Sequence, residues 1–274
     1  MSIAHFMPEL AEVEYYRKRW LPALGHTVER IRLHSEKRIF RGVDADGLRR
    51  DLVGEPFVAA QRHGKQMCFR FGDRHWLGVH LGMTGKLRFA LEGAAQSKHD
   101  HLVLDMQGVG SLVFSDPRLF GRILYADMPE APHWWRDLPP EILSENFTPE
   151  LLNGFLDRRA GAPIKAVLLM QERFPGIGNW MADEILWRAR IHPATRAGRI
   201  SKVKRRRLYE RIREVSEDAL AVIGTDWNRP PDDWLFNHRW KDGGRCPKTG
   251  RPLKREPIGG RTTCWSPMWQ QLRV

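Results

Sequence analysis

The chain has 274 residues, of which 42% are hydrophobic and 28% are charged, and its formal net charge is +12. This composition is typical of a globular protein of two or three modules and excludes a disordered or low-complexity chain. No apolar run approaches the roughly 18 residues of a membrane span. The positive charge favours a nucleic acid over an anionic membrane as partner, because no basic amphipathic anchor is present. Three cysteines predict a reducing, cytoplasmic location.

The first half of the chain is predicted to begin with a helix and to continue as strands. Apolar residues recur at helical spacing between residues 9 and 20, and Pro22 and Gly25 end that helix. From there to about residue 126, short apolar runs separated by Gly, Asp and His predict a β-sandwich. The predicted strands are 28–31, 57–60, 67–71, 76–80, 86–90, 101–104 and 111–114.

The second half is predicted to be helical and to end in a short basic tail. The expected helices are 149–158, 164–171, 180–188 and 202 to about 223. Residues 225–233 form a Pro/Asp linker, and the tail from Asn237 has glycine turns and β-like segments. We therefore predict an α+β, multidomain chain divided into 7–132, 133–232 and 233–274.

Residues 7–12 read Met-Pro-Glu-Leu-Ala-Glu and suggest covalent chemistry. A chain that begins at Pro8 carries a secondary amine, which can attack a sugar C1′ and form a Schiff base. Glu9 and Glu12 are carboxylates that could move the protons. The alternative is a proline in the first turn of a helix, followed by acidic residues that favour its N-terminus.

The segment Met1–Phe6 conflicts with the covalent interpretation, because an amide nitrogen at Pro8 cannot form an imine. The segment lacks the apolar core of a signal peptide. Either translation starts at Met7, or the segment is trimmed, or the protein is not a lyase of this type. We expect a start at Met7.

Motifs in order along the chain resemble the Fpg/Nei family of DNA glycosylases. They are Met7-Pro8-Glu9, Gly64-Lys65, His80-Leu81-Gly82-Met83-Thr84-Gly85, Asp116-Pro117-Arg118-Leu119-Phe120-Gly121, Gly176-Ile177-Gly178-Asn179 and Gly260-Arg261-Thr262-Thr263. The resemblance covers essentially residues 7–270. It implies an N-terminal β-sandwich with an N-terminal helix, a helical helix–two-turn–helix domain and a C-terminal β-finger.

The resemblance implies a bifunctional DNA glycosylase and abasic-site lyase of base-excision repair. Such an enzyme excises oxidised bases through a proline Schiff base and then cleaves the strand by β,δ-elimination. Pro8 is then the nucleophile, Glu9 the general acid/base and Glu12 a supporting carboxylate. Lys65 is a phosphate contact and auxiliary catalyst; a solvated hairpin lysine is the alternative.

The resemblance also implies the residues that hold DNA. Met83, Arg118 and Phe120 fill the gap left by a flipped nucleotide, which suits apolar wedges that offset lost stacking. Phosphate contacts are assigned to Asn179 and Arg261, and Lys165 is a further DNA-binding residue. The alternatives are a core methionine, an ordinary glycine turn before Asn179 and a solvated turn at Arg261.

The tail departs from the family's four-cysteine zinc finger. Aligning Cys246 with the first ligand places Thr249, Ser266 and Trp269 at the other three positions. One thiolate cannot form a tetrahedral zinc site. We therefore expect a zincless finger, with no metal and no other cofactor, in which Trp265 and Trp269 provide packing.

The expected partner is double-stranded DNA that carries oxidised bases or abasic sites, with no membrane and a monomeric protein. One alternative is a catalytically inactive protein that binds damaged or abasic DNA, which the residues before Pro8 favour. A weaker one is a structural RNA binder. The family's 8-oxoguanine specialists have a long capping loop, but few residues separate Thr225 from Leu235 here. We therefore expect oxidised pyrimidines, ring-opened purines or abasic sites to be processed better than 8-oxoguanine.

Overall fold

A computed structural model describes residues 7–272 of the chain. The segment Met1–Phe6, on which the expected start site depends, lies outside the described residues. The chain forms two compact units. Residues 7–8 and Glu12–Leu138 belong to the first unit, whereas Glu9–Ala11 and the chain from Pro139 belong to the second. The division into three domains stays a prediction.

The first unit contains two antiparallel four-stranded sheets, which confirms the predicted β-sandwich. Their strand orders are β1-β6-β7-β5 and β2-β3-β4-β8. The strands are β1 (Val28–Leu33), β2 (Phe57–His63), β3 (Gln66–Phe71), β4 (His75–His80), β5 (Lys86–Ala90), β6 (Asp100–Met106), β7 (Gly110–Ser115) and β8 (Arg122–Asp127). β8, which pairs with β4, was not predicted from the sequence.

Trp20 lies in the core between these sheets. Its side chain is fully buried, and its ring centroid is 4.4 Å from that of Phe69 in β3. Its indole N–H lies 3.4 Å from the carbonyl oxygen of Val113 in β7. A buried indole needs such a partner, so Trp20 contacts both layers of the sandwich.

The helices of the first unit are α1 (Leu10–Lys18), which starts in the second unit, α2 (Ala45–Leu52) and α3 (His133–Arg136). α2 was not predicted from the sequence. The Asp44 side chain caps α2 by accepting a hydrogen bond from the Gly47 N–H at 2.9 Å. Its apolar contribution to the core is Leu48 and Leu52, both fully buried.

Up to residue 272, the second unit contains four α-helices and a hairpin. The helices are α4 (Pro149–Arg158), α5 (Ile164–Leu168), α6 (Asn179–Ala189) and α7 (Lys202–Asp226). Thr148 and Ser201 cap α4 and α7 with their hydroxyls. The predicted finger is the antiparallel pair β9 (Lys254–Ile258) and β10 (Arg261–Trp265).

No helix between residues 7 and 272 combines the length and the apolar character needed to cross a bilayer.

Candidate functional site

Asp116 joins two loops of the first unit, the Met83 turn (residues 80–85) and the Arg118 loop (residues 116–121). Its side chain is fully buried. The carboxylate accepts a hydrogen bond from the Thr84 hydroxyl at 2.6 Å and another from the Gly121 N–H at 2.7 Å. Because a buried carboxylate without donors is strongly destabilising, these bonds hold the two loops together.

Backbone atoms of the two loops are in direct contact. Gly82 has a φ of +64°, and a Cβ placed on it would lie 2.3 Å from the carbonyl carbon of Phe120. The glycine is therefore required both by its left-handed conformation and by the close approach. Leu119 in the Arg118 loop also has a positive φ, +58°, which is a strained conformation for leucine.

Met83, Arg118 and Phe120, the three residues predicted to fill the gap, lie on these two touching loops. Met83 is half-buried, Arg118 is exposed and Phe120 is 45% exposed. The Arg118 guanidinium carbon lies 4.9 Å from the centre of the Phe120 ring. An exposed aromatic ring beside an arginine suits insertion into a base stack.

Two histidines support Asp116 through its backbone. His101 is buried, and its Nε2 lies 3.1 Å from the Asp116 carbonyl oxygen. Its Nδ1 lies 3.0 Å from Nδ1 of His34. This pattern assigns a neutral His101 whose Nε2–H donates to the carbonyl and whose Nδ1 accepts from His34. Burial lowers the pKa of His101, and the bond to Asp116 opposes that effect. His34 belongs to no motif, so the sequence analysis missed it.

Lys65 lies in the turn between β2 and β3 and is only 8% exposed. The solvated-hairpin alternative therefore does not describe it. Burial lowers the pKa of His80, and the positive charges of Lys65 and Arg122 lower it further. Lys65 is thus within electrostatic reach of His80, the first residue of the Met83 turn.

Glu9 is held at the N-terminus of α6 within the second unit. Its carboxylate is 2% exposed and accepts backbone hydrogen bonds from Gly178 at 2.9 Å, Trp180 at 2.9 Å and Met181 at 3.0 Å. These N–H groups have no partner inside the helix, and the helix dipole favours an anion there. A Cβ on Gly178 would lie 2.3 Å from the Glu9 carboxyl carbon, so the glycine makes room for this carboxylate.

Pro8, the predicted nucleophile, is buried, and Glu12 is 1% exposed. Both residues and Lys65 belong to the first unit, whereas Glu9 belongs to the second. The chain itself joins Pro8 to Glu9. The catalytic roles of these four residues stay predictions.

Asn179 and Arg261, two predicted phosphate contacts, lie on neighbouring segments of the second unit. The Asn179 side-chain Nδ2 donates to the carbonyl oxygen of Thr262 at 3.0 Å. Arg261, the residue before Thr262, is exposed at the start of β10. This hydrogen bond joins the first residue of α6 to β10, next to Arg261.

Lys165 is the one predicted DNA contact that the structure contradicts. It is fully buried, and its Nζ donates to the Asn179 carbonyl at 2.7 Å and to the Asp183 carboxylate at 2.5 Å. Asp183 also accepts from Arg239 at 2.6 Å and from the Cys264 N–H at 2.9 Å. Burial lowers the pKa of Lys165, and Asp183 opposes that effect. The charge of Lys165 is thus matched inside the unit and does not reach a phosphate.

The finger packs around Cys246, the first of the four aligned ligand positions. Cys246 is fully buried, and the Trp187 indole N–H donates to its sulphur at 3.4 Å. Burial raises the pKa of Cys246, but the polar groups of Thr249, Ser266 and Trp187 and the backbone of Lys248 together lower it by more.

These residues do not fit zinc. Trp269, at the fourth position, donates its indole N–H to the Trp187 carbonyl at 3.1 Å, and Arg190 lies 3.7 Å from its ring centre. A thiol, two hydroxyls and an indole are not a zinc ligand set. Across residues 7–272, no three His, Cys, Asp or Glu side chains are grouped to hold a metal. Trp265 packs in the finger: it is 8% exposed, and its ring centroid lies 4.2 Å from that of His192.

Comparisons with known proteins agree with this architecture. A model of the formamidopyrimidine-DNA glycosylase N-terminal domain matches residues 7–123, and a model of the H2TH domain of the same enzymes matches residues 138–228. The formamidopyrimidine-DNA glycosylase of Carboxydothermus hydrogenoformans is 34% identical over 97% of this chain and 100% of its own length.

Solved structures show the same similarity. The structure of MutM in complex with carbocyclic 8-oxo-G containing DNA superposes with a TM-score of 0.85 and 29% identity, covering 97% of this chain and 100% of that one. The wild-type Lactococcus lactis Fpg (MutM) in complex with oxidised-pyrimidine DNA gives a TM-score of 0.84 at 29% identity and the same coverage. The chain therefore belongs to the formamidopyrimidine-DNA glycosylase family.

Proposed function

We propose that this protein is a base-excision repair DNA glycosylase that removes oxidised bases and cleaves the strand at the resulting abasic site. Family membership supports the reaction class. Structural neighbours were solved with lesion-containing DNA, one with an 8-oxo-G analogue and one with an oxidised pyrimidine.

The observation that carries the proposal is the contact between the Met83 turn and the Arg118 loop. An enzyme that acts on a base must take it out of the stack, and the vacated space has to be filled. Asp116 fixes the backbone of both loops, while Phe120 and Arg118 stay exposed. A rigid base with exposed tips is the arrangement that such filling requires.

The chemistry assigned to Pro8 needs a free secondary amine. Its nitrogen attacks C1′ while the bond from C1′ to the base breaks, and the base leaves with a proton. The Pro8 nitrogen loses its proton, the C1′–O4′ bond of the adduct breaks and O4′ takes up a proton, which gives an iminium ion. This cation makes the C2′ hydrogens acidic. Loss of a C2′ proton expels the 3′ phosphate, and a second elimination expels the 5′ phosphate.

Glu9 is the proposed general acid and base, which takes up and returns protons in these steps. Its three backbone hydrogen bonds fix its position at the N-terminus of α6. Glu12 supports the site, and Lys65 contacts phosphate. On the second unit, Asn179 and Arg261 hold the phosphate backbone, as exposed or half-buried donors can. No step uses a metal.

We also propose the substrate range, the monomeric state and the cytoplasmic location. The segment between α7 and residue 235 is short, which favours oxidised pyrimidines and ring-opened purines over 8-oxoguanine. The three described cysteines are unpaired and buried, which suits a reducing compartment.

Single-turnover incision on matched duplexes tests the proposal. Protein that begins at Pro8 is assayed on an oxidised pyrimidine, a ring-opened purine, 8-oxoguanine opposite cytosine and an undamaged duplex. We expect cleavage of the lesion duplexes alone, with 8-oxoguanine slowest, and loss of excision in Glu9→Gln. Glu29→Gln, an exposed glutamate of β1, is the control. Absence of excision from every lesion overturns the function, and fastest cleavage at 8-oxoguanine overturns the substrate range.

A further inference from the structure

Arg38 contacts the Arg118 loop from a segment that carries no sequence motif. Its Nη2 donates to the Arg118 carbonyl at 3.3 Å, and its Nε donates to the Leu119 carbonyl. Its guanidinium carbon lies 4.6 Å from the centre of the Phe120 ring. One side chain therefore contacts three consecutive residues of the loop.

Arg38 projects from a fixed backbone. It begins the short 3₁₀ turn Arg38–Phe40, and the next two residues, Ile39 and Phe40, are 0% and 3% exposed in the core of the first unit. The Arg41 N–H donates to the Arg38 carbonyl at 3.1 Å. The guanidinium thus reaches the loop from a rigid base.

The residue that Arg38 holds is the strained one. Leu119 has a φ of +58°, which persists in a leucine when its surroundings leave no relaxed alternative. Asp116 fixes one side of the loop through the Gly121 N–H. Arg38 binds carbonyl groups that Asp116, itself an acceptor, cannot bind. Asp116 thus binds a backbone N–H group of the loop, and Arg38 binds two of its carbonyl groups.

We propose that Arg38 is a positioning residue for base flipping. It keeps Leu119 in the left-handed conformation, so that Arg118 and Phe120 enter the base stack in a fixed orientation. The inference rests on the proposed function, because it concerns the loop that faces the orphaned base. The planar fork of arginine reaches two neighbouring carbonyls, a geometry that lysine cannot reproduce.

The test compares Arg38→Ala and Arg38→Lys with the matched control Arg49→Ala, an exposed arginine of α2 in the same unit. We expect both Arg38 variants to cleave abasic duplex DNA about tenfold more slowly in single turnover, as misplaced contact groups do. Single-stranded abasic DNA has no orphaned base, so both Arg38 variants should cleave it at the wild-type rate. The control stays at the wild-type rate on both substrates.

A spectroscopic arm reports the position of the orphaned base directly. The probe is a duplex with 2-aminopurine opposite a tetrahydrofuran abasic analogue. Saturating wild-type protein and Arg49→Ala change its fluorescence to the same extent, and both Arg38 variants give a smaller change. This readout needs DNA binding alone, so it tests Arg38 even if the wild type cleaves nothing.

Testing Arg38→Ala in a protein that also carries Leu119→Gly shows whether Arg38 acts by holding Leu119 or by contacting DNA directly. Glycine adopts a left-handed conformation without support, so Arg38→Ala should slow cleavage by only about twofold in Leu119→Gly protein. The inference is overturned if Arg38→Ala matches the control, if Arg38→Lys is fully active, or if the tenfold loss persists beside Leu119→Gly. A wild type that cleaves none of the DNAs overturns the proposed function instead.

Discussion

Asp116 and Asp183 are both buried aspartates, one in each unit, but only Asp183 is hydrogen-bonded to charged side chains. The hydrogen bonds to the Asp116 carboxylate come from neutral donors, the Thr84 hydroxyl and the N–H groups of Arg118 and Gly121. Those to Asp183 come from two buried cations, Lys165 and Arg239, and from a backbone N–H.

The difference matches what each aspartate holds. Asp116 holds together two loops that carry exposed side chains, through a side-chain hydroxyl of one loop and a backbone N–H of the other. Asp183 joins segments far apart in sequence, since Lys165 lies in α5 and Cys264 in β10. The first region orients side chains, and the second keeps the helical part and the finger of one unit together.

Among the variants that test this comparison, Asp183→Asn should cause the largest loss of stability. It leaves two buried cations without a counter-charge, and removing one partner of a buried ion pair costs about 3–5 kcal/mol. We expect a loss of that size in the free energy of unfolding, measured with denaturant. Asp157→Asn, which removes the exposed partner of Arg205, should leave the midpoint nearly unchanged. Equal midpoints for the two variants would contradict this account.

Asp116→Asn should have a smaller effect on stability. The amide keeps one acceptor oxygen but turns an N–H₂ group toward a donor, which costs about 1–3 kcal/mol. We expect it to reduce the 2-aminopurine response as well, because the two loops lose their common partner. The control is Asp73→Asn, whose side chain is exposed. An unchanged response together with a lowered stability would show that Asp116 supports the fold and not the loop tips.

Glu184, the neighbour of Asp183 in α6, extends the comparison to pH. It is fully buried and accepts from Arg188 at 2.9 Å and from the Phe236 N–H at 3.0 Å. Burial raises the pKa of Glu184 and Arg188 opposes that rise, and the net result is a pKa of about 7 in place of 4.5. Between these pH values the folded state binds a proton that the unfolded state has lost, so this group makes stability fall as pH rises.

The matching experiment measures the free energy of unfolding at about pH 5 and about pH 8 in wild type and Glu184→Gln. We expect the wild type to lose up to about 3 kcal/mol more than the variant over this range. Comparing the two proteins cancels the histidines, which titrate in both. A parallel pH dependence would show that Glu184 is ionised throughout.

The smallest effect on stability is expected for Arg261→Ala. The side chain is exposed, so the fold should be unchanged while one phosphate contact is lost. DNA binding should weaken, and the slope of log affinity against log salt should become shallower by about one unit. Arg251→Ala, an exposed arginine elsewhere in the finger, is the control. Identical slopes for the two variants would remove Arg261 from the phosphate contacts.

Local signals determined how much of the fold could be predicted. The ends of α4 were predicted correctly because Thr148 and Pro149 form a recognisable N-terminus. The helix α2 was missed because Gly47 lies inside it and Leu48 and Leu52 are too few to show a period. Its capping bond and its burial become visible only in the folded chain.

The site was predictable where a motif carries it and not elsewhere. Met83, Arg118 and Phe120 belong to motifs, and in the structure they lie on two loops whose backbones touch. Lys165 was misread because its partner Asp183 is distant in sequence, and an unpaired lysine is normally exposed. Arg38 gives no sequence signal at all, since its role depends on the backbone of a loop about 80 positions away.

Borohydride trapping on abasic duplex DNA tests the central claim, the covalent role of Pro8, most directly. Reduction of the imine leaves a stable crosslink, which peptide mass analysis can assign to one residue. We predict that protein beginning at Pro8 is trapped, that the crosslink lies on Pro8, and that protein retaining Met1–Phe6 is not trapped. Efficient trapping of the longer form, or a crosslink on a lysine, would contradict the account.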